Sequence, residues 1–483
     1  LNVDHEVSKL FKFGANLSVS RTKGRRVAAD NAFTTPMQIV ALAPITPVRD
    51  ENGELNDRPI TTYYNPLLDF EGTKNIATGF RNLSNIYGQL SFTRNFSFRS
   101  ELGLDIFNQE RNAYYGTKTY TGGGTTGGYG ISEWLRTVNL NTNNYFNYHN
   151  TFSDRHDLDV VLGTSFQKVT TDDAYVEGEG FPVDDLNKLA SAGQITGGSS
   201  TQTNYSFVSY FSRINYKFND KYILNLSGRI DGSSRFGKDS RYGFFPAISA
   251  GWIISNESFL SGSDFLSFLK LRASYGFTGT ADGIGDFPQL GLWTASKYNL
   301  LSGLVPSQLP NPELKWEQSK QTDIGLDFGF LNNRITGELD YYIRKTSNLL
   351  YNVPVPGTSG FTTQYQNVGS MENKGVELVL NANIIDGRDF KWSAGGNISW
   401  NQNKITRLDG DTDTLPGNDG RYLNSLIVGQ PIGIFYGPKY AGVDPANGDA
   451  LYYLADGKTT TNDYNDAGNF VVGNPNPKFF YGF

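Results

Sequence analysis

From Asp323 to Lys345 the chain reads DIGLDFGFLNNRITGELDYYIRK, with apolar residues at every second position on both sides of Asn332-Asn333. Strand side chains alternate with period two, so Ile324, Leu326, Phe328 and Phe330 share one face, and Asp323, Gly325, Asp327 and Gly329 share the other. The return run behaves alike: Ile335, Leu339, Tyr341 and Ile343, with Gly337 among them, lie opposite Thr336, Glu338, Asp340, Tyr342 and Arg344. A two-residue turn at Asn332-Asn333 places Phe330 opposite Ile335 and Leu326 opposite Leu339, and the two apolar faces coincide. Such a hairpin either covers a soluble core or turns its apolar face to lipid with a polar lumen behind it.

The pattern recurs along the whole chain. It appears at Phe11, Phe13, Ala15, Leu17 and Val19, at Phe98, Leu102, Leu104 and Ile106, and at Leu158, Val160, Leu162 and Phe166. Tyr210, Ile214, Tyr216 and Phe218 lead into Tyr222, Leu224, Leu226 and Ile230, and Leu269, Leu271, Ala273, Tyr275 and Phe277 follow. Val376 to Ile384 then turns through DGRD into Phe390, Trp392, Ala394, Ile398 and Trp400. About thirteen such strands are expected, most around ten residues or longer against the usual about 5 to 6. No run approaches the roughly 18 apolar residues of a spanning helix, so a membrane reading requires a barrel.

The links decide between the readings. Short ones fall near residues 94–97, 153–156, 219–221, 255–266, 331–334 and 386–389. Long ones are expected over 23–80, 110–136, 173–203, 280–313 and 346–367, with 232–241 a modest member of that set. Strict alternation of short and long links belongs to an up-and-down barrel with one rim toward the periplasm and one outside. A Greek-key sandwich has no reason to keep it. Trp392 and Trp400 share a face and, at a tilt near 40°, stand roughly 20 Å apart along the membrane normal, close to the two aromatic girdles of such a barrel.

Composition agrees with this picture. At 483 residues the chain is either several soluble domains or one very large barrel. It contains no cysteine, which excludes disulfides and thiol chemistry. Tyr 28 and Phe 33 within a polar chain of mean hydropathy -0.41 suit interfacial girdles or ligand stacking. A net charge of -6 carries no nucleic-acid footprint.

Catalytic chemistry finds little support. GGGTTG at Gly122 to Gly127 has phosphate-loop spacing without a preceding strand or following helix, and reads as a flexible outer loop. His5, His149 and His156 have neither metal-ligand nor triad spacing. Glu177, Glu179, Asp184 and Asp185 read as a solvated acidic loop. Asp409, Asp411 and Asp413 alternate as in the first half of a calcium loop but lack its glycine and its final acid, leaving a weak calcium candidate. No enzyme activity and no cofactor is expected. The outer-loop aromatics Tyr114, Tyr115, Tyr120, Trp134, Trp293, Tyr298, Phe361 and Tyr365 are the candidate ligand-stacking residues, and Tyr63 and Tyr64 lie in the same loop set. Arg213, Arg229, Lys270, Arg272, Asp327 and Glu338 are expected to line a polar lumen.

Six segments also carry a resemblance: RIDGSSRFG (Arg229 to Gly237), FFPAISAGWIISNESFL (Phe244 to Leu260), SYGFTGT (Ser274 to Thr280), NPELKWEQ (Asn311 to Gln318), NVGSMENKGVEL (Asn367 to Leu378) and GNPNPKFFYGF (Gly473 to Phe483). In this order they resemble the SusC/RagA-like TonB-dependent outer-membrane transporters of Bacteroidota. The resemblance implies an all-β fold, an antiparallel up-and-down transmembrane β-barrel of which roughly 13 to 15 of about 22 strands lie here. It implies residues 1–483 as a partial barrel domain, with the N-terminal plug, the TonB box and the final strands absent from this chain. It further implies import of a glycan, oligosaccharide or peptide across the outer membrane of a Gram-negative bacterium. The implied partners are a SusD-like surface lipoprotein, the TonB-ExbB-ExbD complex acting through the plug, the substrate and outer-membrane lipid. A passive porin or adhesin barrel, or a secreted multidomain carbohydrate-active protein, are the alternatives.

Overall fold

The computed structural model describes residues 1–27, 42, 44–56, 65–260, 262–299, 301–408, 412–415 and 425–483. Its strands begin with β1 (Asn2–Glu6), β2 (Phe11–Arg25), β3 (Thr73–Ser91), β4 (Phe96–Tyr115), β5 (Tyr129–Phe152), β6 (His156–Glu179) and β7 (Gln194–Phe218). Next come β8 (Tyr222–Ser233), β9 (Tyr242–Ile253), β10 (Leu266–Thr280), β11 (Leu292–Tyr298), β12 (Leu301–Gln308), β13 (Glu317–Phe330) and β14 (Ile335–Ser347). β15 (Leu350–Pro354), β16 (Thr363–Asn367), β17 (Ser370–Asp386) and β18 (Lys391–Arg407) follow. The last are β19 (Thr414–Leu415), β20 (Leu426–Ile427), β21 (Phe435–Pro438), β22 (Tyr440–Val443), β23 (Ala450–Tyr453), β24 (Thr460–Thr461), β25 (Asn469–Gly473) and β26 (Phe479–Gly482). One short helix, α1 (Pro66–Gly72), starts on an Asn65 cap whose side chain accepts from the Leu67 N–H. Among the described residues, 15 strands form the main sheet in chain order, β1 to β10, then β13, β14, β17, β18 and β26. Two compact units divide the chain: Leu1–Phe92, Phe98–Asn144 and Ser165–Ser206 form the first, and Thr93–Ser97, Tyr145–Thr164 and Phe207–Phe483 the second.

The hairpin read from the sequence has the expected register. Phe330 pairs with Ile335 and Leu326 with Leu339. Asn332 and Asn333 turn the chain at φ 57° and 60°, and the Arg334 N–H donates to Leu331 O at 3.2 Å. The same left-handed pair recurs at Ser153-Asp154 and Asn219-Asp220. Short-chain Asn, Asp and Ser occupy these sites because a two-residue turn matching strand twist needs positive φ at both positions.

The strands are longer than the apolar alternation indicates. The link after β4 covers only 116–128 and the link after β6 only 180–193, against the expected 110–136 and 173–203. Apolar alternation marks the part of a strand that faces an apolar medium, whereas the hydrogen-bond ladder continues through Thr, Glu and Gly beyond it. Two of the expected long links also contain hairpins, β11–β12 and β15–β16. The polar strand β1, which pairs with β2, gave no alternation signal.

In the second unit the register sorts side chains into two faces. Leu271, Leu326, Leu339, Leu378, Ile398 and Tyr481 are successive cross-strand partners, and Leu271 continues to Trp252 and Tyr222. The next row on that face is Ala273, Ile324, Tyr341, Val376, Trp400 and Phe479. Leu271, Ile324, Leu339, Tyr341 and Ile398 are all exposed, with Ile324 at 51%. A contiguous exposed apolar surface of this kind is what a lipid-facing band looks like and what a soluble sheet buries. The intervening positions, Arg272, Gly325, Asp340, Glu377 and Ser399, form a polar row on the other face.

At the short-link end, Glu257 accepts from Tyr222 Oη at 2.7 Å, Lys221 Nζ at 2.9 Å and Trp252 Nε1 at 3.1 Å. These bonds, Tyr222 first, hold its carboxyl at about 2.

Two outcomes follow in the full-length protein. Leu339→Arg should cost about 2 to 4 kcal/mol in bilayer refolding, while Glu338→Arg on the opposite face should cost well under half of that. Because the folded-state pKa of Glu257 lies below its unfolded value, its stabilisation is complete above the ordinary glutamate range and is lost only as pH falls through about 2. Amide exchange of residues 254–260 should therefore stay protected at pH 4 in the wild type and be faster in Glu257→Gln at every pH above that; equal protection in both would show that the three bonds do not hold this link.

Candidate functional site: the polar wall and its roof

The polar face of the second unit carries a linked ion set. Arg272 Nε lies 2.7 Å from Asp327 Oδ1, Nη2 lies 2.7 Å from Asp340 Oδ2, and Nη1 lies 3.6 Å from Asp323 Oδ1. Lys270 Nζ sits 3.2 Å from Asp327 Oδ2. Gly325 makes the arrangement possible, since a Cβ there would meet Asp340 Oδ1 at 2.4 Å and Arg272 Cζ at 2.5 Å. Arg229 extends the wall, binding Asp231 Oδ1 at 2.6 Å and Ser209 Oγ at 2.7 Å, and Arg213 reaches Asp159 at 4.0 Å. Glu338 stands directly opposite Asp327 in the register. All six residues read as lumen-lining from the sequence thus fall on this face.

In the first unit an equivalent wall stands near the long-link ends of β4, β5 and β6. Arg111 bridges Asn75 Oδ1 at 3.0 Å and Glu133 Oε1 at 2.7 Å. Tyr129 donates to Glu177, and the rings of Tyr115 and Tyr129 stand 6.0 Å apart. Arg111, Glu133 and Tyr129 escaped the sequence reading because no motif marks them; strand parity alone puts Tyr129 and Glu133 on one face.

The candidate aromatics separate into different roles. Tyr114 is buried, donates to Asp184 Oδ1 at 2.9 Å and meets the Phe181 ring edge-on at 4.9 Å. Asp184, exposed in the link after β6, also accepts from the Thr117 N–H at 3.0 Å, so this loop acid clasps the link after β4, and Glu177 lies in β6. Tyr120 is half-buried with its N–H on Asp69 Oδ1 at 3.2 Å. Trp134 is exposed on the side of β5 opposite Glu133. Tyr365 packs on a buried core, and Phe361 is half-buried between β15 and β16. Trp293 and Tyr298, 64% and 84% exposed, stand on the β11–β12 hairpin. The glycine loop is ordered: the Gly122 N–H donates to Thr119 Oγ1 at 3.0 Å, and a Cβ on Gly122 would meet Tyr115 O at 2.1 Å. Its glycines serve close backbone approach. Asp409 and Asp411 lie outside the described residues; among the described residues no group of three His, Asp or Glu converges on a point where a metal could sit.

Five of the six signature segments, all but Gly473 to Phe483, meet in a roof at the long-link end of the second unit. Phe236, Phe245, Ala281, Ile284, Leu314 and Trp316 form one buried cluster, with Phe236 and Leu314 fully enclosed. Arg235 binds Ala281 O at 2.9 Å, Asp282 Oδ1 at 3.1 Å and Asp286 Oδ1 at 3.1 Å. Trp316 Nε1 donates to Arg241 O at 3.0 Å. The backbone of Lys315 and the side chain of Asn367 clasp each other, N–H to Oδ1 at 2.9 Å and Nδ2 to O at 2.7 Å. Gly237 faces Pro312 so closely that a Cβ would meet its carbonyl oxygen at 2.0 Å. Sequence inspection treats these motifs as separate turns; they are the interlocking parts of one core that ties three long links together, those after β8, β10 and β14.

Leu314→Ala should cost about 2 to 5 kcal/mol locally, the ordinary range for emptying a filled core site. Hydrogen exchange in the full-length protein should then accelerate over 281–316 while β13 and β14 near Asn332 stay protected. Uniform acceleration would show that roof and sheet open together.

The sequence matches the family described as TonB dependent receptor-like, beta-barrel, over residues 31–480. TonB-dependent receptor P3 of Formosa agariphila is 32% identical over all of this chain and 51% of its own length. TonB-dependent receptor SusC of Bacteroides thetaiotaomicron is 38% identical over 57% of this chain and 28% of its own. The structure of the RagAB peptide transporter superposes with a TM-score of 0.83 at 27% identity, covering 100% of this chain and 55% of that one. The chain thus spans about half the length of TonB-dependent receptor P3 and of the RagAB chain it matches. Its antiparallel strands in chain order, its two-faced register and these matches make it a member of the TonB-dependent receptor β-barrel family, of the SusC/RagA type.

Proposed function

We propose that this chain is part of a TonB-dependent importer that carries a polar oligomer, a glycan or a peptide, across the outer membrane of a Gram-negative bacterium with a SusD-like surface lipoprotein. The observation that carries the reading is the opposition of faces in the second unit. An apolar surface exposed over successive rows backs a wall built on Lys270, Arg272, Asp323, Asp327 and Asp340. A protein that lives in lipid and passes a hydrated solute needs both. The names borne by the relatives, SusC and the RagAB peptide transporter, point to the same class of work. Residues 1–483 are read as part of the barrel domain, and the plug that receives the pull of TonB-ExbB-ExbD is assigned to the part of the relatives' length that this chain does not span.

In this reading the roof holds the long links over the wall, and Trp293 and Tyr298 present aromatic faces that stack on sugar rings or peptide side chains. Tyr114 and Tyr365 act by packing. The polar wall gives the solute exchangeable partners instead of a single deep site.

Uptake of labelled oligosaccharides and peptides by cells whose only copy is the full-length gene tests this. Removing TonB or collapsing the proton-motive force should remove most of the uptake. Trp293→Ala with Tyr298→Ala should lower it several-fold without loss of assembled protein. Uptake that persists without TonB would make the protein a passive pore.

A further inference from the structure

The β11–β12 hairpin turns two unlike faces to solvent. Trp293 pairs with Pro306 and Tyr298 with Leu301, and the odd spacing of the two aromatic residues puts their side chains on opposite sides of the ladder. Trp293, Ala295 and Lys297 share one face with Leu304 and Pro306, and Thr294, Ser296 and Tyr298 share the other with Leu301 and Val305. A single solute ring therefore meets Trp293 or Tyr298, not both. Every described residue from Trp293 to Ser307 is exposed except half-buried Ser296. Among the described residues, none in that span has a hydrogen bond, ion pair or ring contact with another element. Packing along the arm does not decide which face a solute meets.

The decision falls to the foot of the arm. Leu292 pairs with Gln308 and Trp293 already with Pro306, so Ser307 is an extra residue, a bulge that bends and twists the ladder where it leaves the roof. Directly below that bulge, Gln308 Nε2 donates to Phe287 O at 2.9 Å and to Leu290 O at 2.8 Å. The segment carrying these carbonyls is itself fixed: Gln289 Nε2 donates to Ser234 O at 2.9 Å, Pro288 is fully enclosed, and Arg235 grips Ala281 and Asp286. Beyond β12, Asn311 Nδ2 donates to Tyr365 O at 2.7 Å and Gln364 Nε2 to Pro310 O at 2.8 Å. One side-chain amide thus joins the end of β12 to the anchored segment that precedes β11.

We propose that Gln308 is a positioning residue for solute capture: its grip on two carbonyls fixes the rotation of the hairpin about its foot, and with it which face, that of Trp293 or that of Tyr298, meets the solute. The assignment rests on the reading in which this hairpin contacts the imported oligomer. A single hydrogen bond leaves a swivel, whereas two acceptors on one nitrogen set an orientation. The two faces offer different chemistry. Around Trp293 the surface is apolar apart from Lys297, and around Tyr298 it carries the hydroxyls of Thr294 and Ser296. Turning the arm exchanges one for the other, which makes the grip of Gln308 a determinant of specificity as well as of affinity.

Uptake of labelled oligosaccharides and peptides by cells carrying the full-length protein tests the proposal. With Gln308 in place, Trp293→Ala and Tyr298→Ala should be unequal: one raises the half-saturating concentration about fivefold, the weight of one aromatic contact, and the other changes it less than about twofold. In a Gln308→Met background the two should become equal, with the half-saturating concentration raised and the maximal rate unchanged, a split that loss of the roof would not give. Gln308→Glu, which keeps the shape and loses both donors, should match Gln308→Met. Spin labels on Lys297→Cys and Lys345→Cys, read without any transport, should give one narrow distance distribution with Gln308 present and a broad one in Gln308→Met. Equal effects of the two ring deletions with Gln308 present, an inequality that survives Gln308→Met, or a narrow distribution in that variant would each overturn the assignment. If neither ring deletion changes uptake, the reading of the hairpin as a solute contact falls, and this assignment with it.

Discussion

Antiparallel backbone pairing is the constraint on which the rest of this molecule depends. In lipid, water cannot satisfy strand amides, so each strand must bond to its neighbours along its length. Once Leu326 is paired with Leu339 and Leu339 with Leu378, every other position on three strands is committed to one face. A slip of one residue would carry Asp327 and Glu338 into the apolar row and Leu326 and Leu339 into the wall. Two adjacent asparagines, at positive φ, hold that register at one end of the hairpin.

The same pairing sets what the polar face can do. Arg272 gathers Asp323, Asp327 and Asp340 because β10, β13 and β14 present them at neighbouring register positions and because Gly325 has no side chain to stand between them. Partly exposed, these pairs add little stability for their number. They keep a charged surface ordered on a wall that must stay wet. Enclosed packing stands in the roof around Phe236, Leu314 and Trp316, where hydrophobic burial and the three-way grip of Arg235 hold long links that the strands alone would leave free.

Much of this was legible along the chain. The hairpin register, the positions of the short turns and the polar-face residues Arg213, Arg229, Lys270, Arg272, Asp327 and Glu338 all follow from period-two alternation and turn chemistry. Strand ends were less legible, since alternation stops where the apolar medium stops while the ladder of β4, β5 and β6 runs on. The aromatic candidates were the least legible. Tyr114 and Tyr298 look alike as loop tyrosines, yet one is sealed against Phe181 and Asp184 and the other is 84% exposed.

The difference is one of range. By itself the sequence determined strands, faces, turns and the class of fold, because these depend on the order of residues within some twenty positions and on backbone sterics common to all chains. Tertiary structure alone decided which separated segments meet. Asn367 clasps Lys315, Asp184 takes the Tyr114 hydroxyl, and Arg235 closes on Asp282 and Asp286. Those neighbours lie from tens of residues to the length of several strands apart, and only the hydrogen-bonded register that stacks the strands brings their side chains within reach of one another.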